Sequence, residues 1–286
     1  MSAGTLDQTP NAPTAPAAAA QCNGGPLRLN VRQLTHGFTL PGGQLWPLFD
    51  RLDLQVGDAE IVSIVGRSGA GKTTLFNLIS GLLQPQSGEI AIGPRADGTA
   101  GRIAYMLQKD LLLPWRSVLK NALLGIELHR PVTTADIERA RDMLARYGLG
   151  GVADTYPHAL SGGMRQRVAL TRTLLVDPTL VLLDEPFSAL DYETRLMLED
   201  DVMGLRTAFG TSVVLVTHDI EEAIAMSDRV VVLGGRPARV EQNIPITLTV
   251  HGTRDAVASR EAPEFRQYHA RIWAALRQPA APGATP

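Results

Sequence analysis

The 286-residue chain carries 27 Lys and Arg against 29 Asp and Glu, a formal net charge of −2, with 44% hydrophobic and 20% charged residues. That balance suits a globular chain with a sizeable core and lacks the basic excess that marks a polyanion binder, so no nucleic-acid partner is expected. One cysteine, Cys22, excludes an internal disulfide, and apolar runs such as Leu180–Leu183 and Val213–Val216 fall far short of the roughly 20 residues that a membrane-spanning helix needs.

In chain order, residues 1–25 include the run TPNAPTAPAAAA, which has neither the basic start nor the Leu-rich centre of a secretory signal. They are expected to be a disordered tail, as are residues 279–286. Strands are expected at Leu27–Leu34, Leu45–Val56 and Ile61–Val65, a helix at Lys72–Gly81, and strands again at Gly88–Ile92 and Arg102–Leu107. The pattern turns helical from Ser117 to Tyr147, where Ala135–Tyr147 is amphipathic with Ile137, Met143 and Leu144 on one side. Sheet character returns at Leu180–Asp184, Ser212–Thr217 and Arg229–Leu233. A helix is expected over Glu261–Arg277, with Phe265, Tyr268, Ile272, Trp273 and Leu276 as its packing face. Short strands alternating with helices predict an α/β fold.

The run Gly66-Arg67-Ser68-Gly69-Ala70-Gly71-Lys72-Thr73-Thr74 sits after an expected strand and before an expected helix. This is the spacing of a phosphate-binding loop. Glycines let backbone N–H groups turn inward, the helix N-terminus adds positive potential, Lys72 reaches the outer phosphates, and Thr73 ligates magnesium. A connector that merely turns the chain would account for Gly69 and Gly71 but not for Lys72 followed by two threonines. ATP and Mg2+ are the expected ligands.

Leu180–Leu183 ends in Asp184 and Glu185, an apolar strand delivering two acids to the end of a parallel sheet. Asp184 is expected to hold the metal, and Glu185 to orient or polarise an attacking water. His218, just after the strand ending at Thr217, is a candidate contact to the γ-phosphate.

Leu160-Ser161-Gly162-Gly163-Met164-Arg165-Gln166-Arg167 resembles the signature motif of the ABC ATPase family, and the resemblance extends over about Leu27–Val250. It implies a P-loop NTPase core with a mostly parallel sheet, an N-terminal antiparallel β-subdomain and a helical subdomain. The ATPase domain would span 26–250, with helices at about 109–176 and a C-terminal helical extension at 251–278. In this family Ser161, Gly162 and Gly163 complete the ATP site of a second copy bound head to tail. Phe38 matches the aromatic that stacks on adenine, although a core role would explain it equally. Gln108 matches the glutamine that joins the metal site to the helical subdomain, and Ser188-Ala189-Leu190-Asp191 the loop that speaks across the dimer. Met164 stands where the commonest signature has glutamine.

Leu111-Leu112-Leu113-Pro114-Trp115 resembles the nitrate, sulfonate and taurine importer ATPases, a group with pyrimidine-precursor relatives. The resemblance implies peripheral attachment at the cytoplasmic face of the inner membrane, transmembrane permease partners and, indirectly, a solute-binding protein. The leucines and Trp115 either pack the helical subdomain or dock that permease. Non-transport ABC proteins usually resemble two fused cassettes or a cassette split by a coiled coil, and this sequence has neither feature.

Overall fold

The computed structural model describes residues 26–95 and 98–277, so both expected tails lie outside the described residues. An antiparallel ribbon opens the fold: β1 (Leu27–Thr39) pairs with β2 (Leu45–Gly57) on one side and β4 (Ser87–Ile92) on the other. Between β2 and β4 lie β3 (Ile61–Gly66) and α1 (Lys72–Ile79). β3 enters a six-stranded sheet of order β5-β6-β7-β3-β8-β9, built with β5 (Ile103–Met106), β6 (Leu180–Asp184), β7 (Ser212–Val216), β8 (Arg229–Gly234) and β9 (Arg239–Pro245). All its pairings are parallel except β8 with β9.

The inner strands β3, β6, β7 and β8 are buried on both faces, which explains their largely continuous apolar sequence. Leu180 and Leu182 point into one core with α1 and the ribbon, whereas Val181 and Leu183 point into another shared with the helical region. A third core joins β8 and β9 to helices near the C-terminus.

Helices fill the connections: α2 (Val118–Ala122), α3 (Leu124–Glu127), α4 (Thr134–Arg146) and α5 (Gly162–Leu174) lie between β5 and β6. Next come α6 (Tyr192–Phe209), α7 (Ile220–Met226), α8 (Ala256–Glu261) and α9 (Phe265–Arg277).

Several expectations need correction. The helical stretch from Ser117 is three helices: α2 and α3 meet at Leu123, and after Pro131 the capping box of Thr133 with Asp136 restarts the chain at α4. Within α4 the inward stripe is Ala140 and Leu144, continued by Tyr147 at the C-cap, with Met143 packed against the same core; Ile137, at the edge of the stripe, is 36% exposed. The expected Glu261–Arg277 helix is broken at Ala262, which is extended because Pro263 follows it. On α9, Phe265 and Ile272 are buried with Tyr268 and Leu276 against them. Trp273, about 100° round the helix from Ile272, is instead exposed, stacks on His269 and lies under Arg277.

Candidate functional site

Parallel registry brings the sequence motifs together. Gly66 pairs with Leu233, Ile64 with Val216, Asp184 with Val216, and Met106 with Leu183, so β3, β5, β6 and β7 end side by side. The loops leaving those ends carry Gly66–Thr74, Gln108, Asp184–Glu185 and His218, the place where open α/β sheets bind ligands.

Glycines shape the phosphate loop, Gly69 and Gly71 through positive φ and Gly66 through close contact. Gly71 sits at φ 88°, where an added Cβ would meet the Phe49 ring at 2.8 Å, and at Gly66 it would meet the Leu233 carbonyl at 2.8 Å. Arg67, Ser68 and Gly69 are exposed at the tip, Ala70 is buried beneath them, and Thr74 is half-buried in the first turn of α1. Lys72 Nζ folds back over the loop, donating to the carbonyls of Gly66 (2.8 Å) and Arg67 (3.3 Å). Burial lowers its pKa, opposed by Glu185 and Asp184.

Thr73 Oγ1 donates to Asp184 Oδ2 at 2.9 Å. Burial raises the Asp184 pKa, the Thr73 hydrogen bond opposes it, Glu185 adds to it and Lys72 opposes it. Among the described residues no cluster of three His, Cys, Asp or Glu side chains forms a metal cage. A hydroxyl beside one carboxylate suits Mg2+, which keeps most of its shell as water and phosphate oxygen. Thr73 and Asp184 would hold such an ion, whereas Gln108, also expected at the metal, has its hydrogen bond to Glu185.

Glu185 is the most constrained member. It is a non-glycine residue at φ 50°, a conformation that costs on the order of 1–3 kcal/mol. Its N–H donates to the Val216 carbonyl (2.8 Å), and its own carbonyl accepts from Gln166 Nε2 (3.1 Å) and Ser188 Oγ (3.1 Å). The carboxylate accepts from Gln108 Nε2 at 2.9 Å and faces His218 Nδ1 at 3.5 Å. The strained backbone thus aims the carboxylate between two polar side chains from neighbouring strand ends.

Other predicted residues lie farther out. Phe38 is 44% exposed on β1, edge-on to His36 and directly opposite Trp46 of β2. Ser161 caps α5 through the Met164 N–H (3.3 Å), and Gly162 and Gly163 form the first turn of that helix. Asp191 caps α6 through the Thr194 N–H (3.0 Å), which lowers its pKa.

Three residues inside or just beyond the signature motif were given no role by the sequence: Arg165, Gln166 and Arg172. Arg165 Nε donates to Asp110 Oδ2 (3.0 Å), and Arg172 donates to the carbonyls of Asp110 (2.7 Å) and Leu111 (3.0 Å), fastening the segment after Gln108 to α5. Their partners are mostly main-chain atoms of distant loops, which leave no trace in spacing or pattern.

A family model described as ABC transporter matches residues 49–188. The chain is 44% identical over 191 residues to an aliphatic sulfonates import ATP-binding protein of Xanthomonas axonopodis pv. citri, covering 66% of this chain and 76% of that one. It is 39% identical over 215 residues to a taurine import ATP-binding protein of Shigella sonnei, covering 75% and 84%. The solved dimeric structure of a post-hydrolysis ATP-binding cassette bound to ADP and Pi is 29% identical, with a TM-score of 0.67 over 77% of this chain and 99% of that one. Relatives of this identity and coverage place the chain in the ABC transporter family, among its ATP-binding subunits.

Proposed function

We propose that this subunit hydrolyses ATP to drive import of a small solute of the nitrate, sulfonate or taurine kind through a separate permease. The hydrogen bond from Gln108 to Glu185 carries the reading, because it ties the carboxylate that would activate water to the start of the segment that would meet the permease. Three residues after Gln108, Leu111 is exposed, and Trp115 is 72% exposed. Leu112 is buried, and Asn121 pins the segment by accepting from the Leu113 N–H and donating to the carbonyls of Leu113, Arg116 and Ser117. A large aromatic held out on a fixed loop is what a protein interface uses as an anchor.

In the ATP site, loop N–H groups and Lys72 bind the outer phosphates, and Phe38 offers a face to the adenine. Mg2+, when bound at Thr73 and Asp184, neutralises charge developing on the departing phosphoryl group. Glu185 accepts a proton from, or orients, the attacking water, while His218 and Gln108 hold the carboxylate's direction. Ser161–Gly163 serve the site of a second copy, so the working unit is a head-to-tail dimer at the cytoplasmic face of the membrane.

The test is affinity purification of the full-length chain from detergent-solubilised cells. The expected companion is an integral membrane subunit, recovered in smaller amount with Trp115→Ala. Recovery with ribosomes or DNA, and without a membrane subunit, would contradict the transport reading. A sulfonate-specific, nitrate-specific or pyrimidine-specific solute is then read from ligand screening of the accompanying solute-binding protein.

A further inference from the structure

Gln166 lies five residues after Ser161 on α5 and is buried, at 6% exposure. Both ends of its amide are used on one loop. Nε2 donates to the Glu185 carbonyl and Oε1 accepts from the Ala189 N–H, each at 3.1 Å. These two contacts bracket the turn that begins with the strained Glu185 backbone and leads to Leu190 and Asp191. Gly163 closes the same contact from the helix start, since a Cβ there would lie 3.1 Å from the Ala189 carbonyl and 3.3 Å from Leu190 Cδ2. The beginning of α5 and the turn that carries the catalytic carboxylate are therefore fastened as one body.

Only an amide satisfies both contacts. Leucine would leave the Ala189 donor and one acceptor site of the Glu185 carbonyl unmatched, and an ionised glutamate would set negative charge against that carbonyl.

We propose that Gln166 is a positioning residue that makes hydrolysis at one site of the dimer depend on the nucleotide at the other. Ser161–Gly163 of a chain touch the nucleotide held by its second copy, and the same helix, through Gln166, sets the backbone of that chain's own Glu185. A nucleotide gripped across the interface thereby fixes the direction of a carboxylate in the opposite site. The inference rests on the reading that Ser161–Gly163 complete the site of a second copy. Gln166 itself touches no nucleotide; it acts through the main chain of Glu185, and a misdirected base loses rate steeply with displacement.

The experiment uses the full-length chain with Gln166→Leu and Gln166→Glu. ATP turnover is measured against ATP concentration, binding of a fluorescent ATP analogue is measured at chain concentrations too low for dimers, and thermal melting checks the fold. Gln166→Leu is expected to bind the analogue within about twofold of wild type, while kcat falls about 10- to 100-fold and the Hill coefficient drops to about 1. A kcat and a Hill coefficient both unchanged, in a folded variant, would overturn the proposal. Should the leucine variant fail to fold, Gln166→Glu carries the test, because it keeps the acceptor for Ala189 and turns the donation to the Glu185 carbonyl into a repulsion; the same drop in Hill coefficient is expected. Ser161→Arg separates the two ideas. If it turns over ATP like wild type, the two-chain site itself is wrong; if it is inactive while Gln166→Leu behaves as wild type, only the Gln166 inference falls.

Discussion

Thr73 and Asp184, 111 residues apart in sequence, are joined by a 2.9 Å hydrogen bond from hydroxyl to carboxylate. The phosphate loop and the acidic strand are thereby joined side chain to side chain at the proposed cation site. Asp184→Asn removes the charge but keeps the shape. It is expected to weaken Mg2+-ATP binding about 10- to 100-fold, measured by calorimetry, with binding in EDTA unchanged. Because burial raises the Asp184 pKa, the wild type's loss of Mg2+-dependent binding on acidification begins at a higher pH than for an exposed aspartate.

Lys72 rests its ammonium on the Gly66 and Arg67 carbonyls of the loop proposed to bind phosphate. Lys72→Ala deletes a charged donor to the nucleotide, and such bonds contribute about 1.5–3 kcal/mol. ATP affinity is expected to fall about 10- to 100-fold with little change in melting temperature. Intact affinity would remove the loop from the binding account.

The parts of this site that are legible in the sequence are those whose chemistry is local. Lys72 and Thr73 follow a glycine pattern set by the loop's own backbone, and Asp184 and Glu185 end an unmistakably apolar strand. The left-handed conformation of Glu185 leaves no such mark, since Gln166, Ser188 and Val216 impose it from elsewhere. In the fold, β9 escapes notice because Glu241, Gln242 and Asn243 interrupt its alternation at the sheet edge. By contrast α6 has readable ends, Asp191 as its cap and Gly210 at φ 62° as its stop, although a sequence reading centred on the motifs passes over them.

Glu222, almost fully buried, accepts a hydrogen bond from Thr217, and burial pushes its pKa from 4.5 to about 8. The folded chain holds this proton between those values while the unfolded chain has lost it. The contribution of this group to stability is therefore fully present below the lower value and falls by about 1.4 kcal/mol per pH unit as pH rises toward the upper one. Glu222→Gln, which cannot ionise, is expected to flatten that decline. Urea unfolding of both proteins at pH 5.5 and pH 8 measures it, and equal slopes would contradict the assignment.

Arg260 of α8 forms a two-pronged ion pair with Glu199 of α6, at 2.7 and 3.0 Å, and Glu199 is wholly buried. Arg260→Ala leaves that carboxylate unpaired and is expected to cost about 3–5 kcal/mol. Adding Glu199→Leu removes the stranded charge and should recover most of the loss. Thermal or urea unfolding of the single and double variants checks this, and additive losses would exclude the pairing as the cause.

Each ATP site is proposed to be half a site, with Glu185 firing only when a second copy closes over the nucleotide. Sedimentation of the Glu185→Gln chain with Mg2+-ATP and with Mg2+-ADP, beside steady-state turnover of the same samples, checks both halves of that proposal. The variant should bind ATP, turn it over at least about 100-fold more slowly than wild type, and sediment as a dimer with ATP but a monomer with ADP. A variant that hydrolyses ATP at the wild-type rate and stays monomeric with both nucleotides would contradict it.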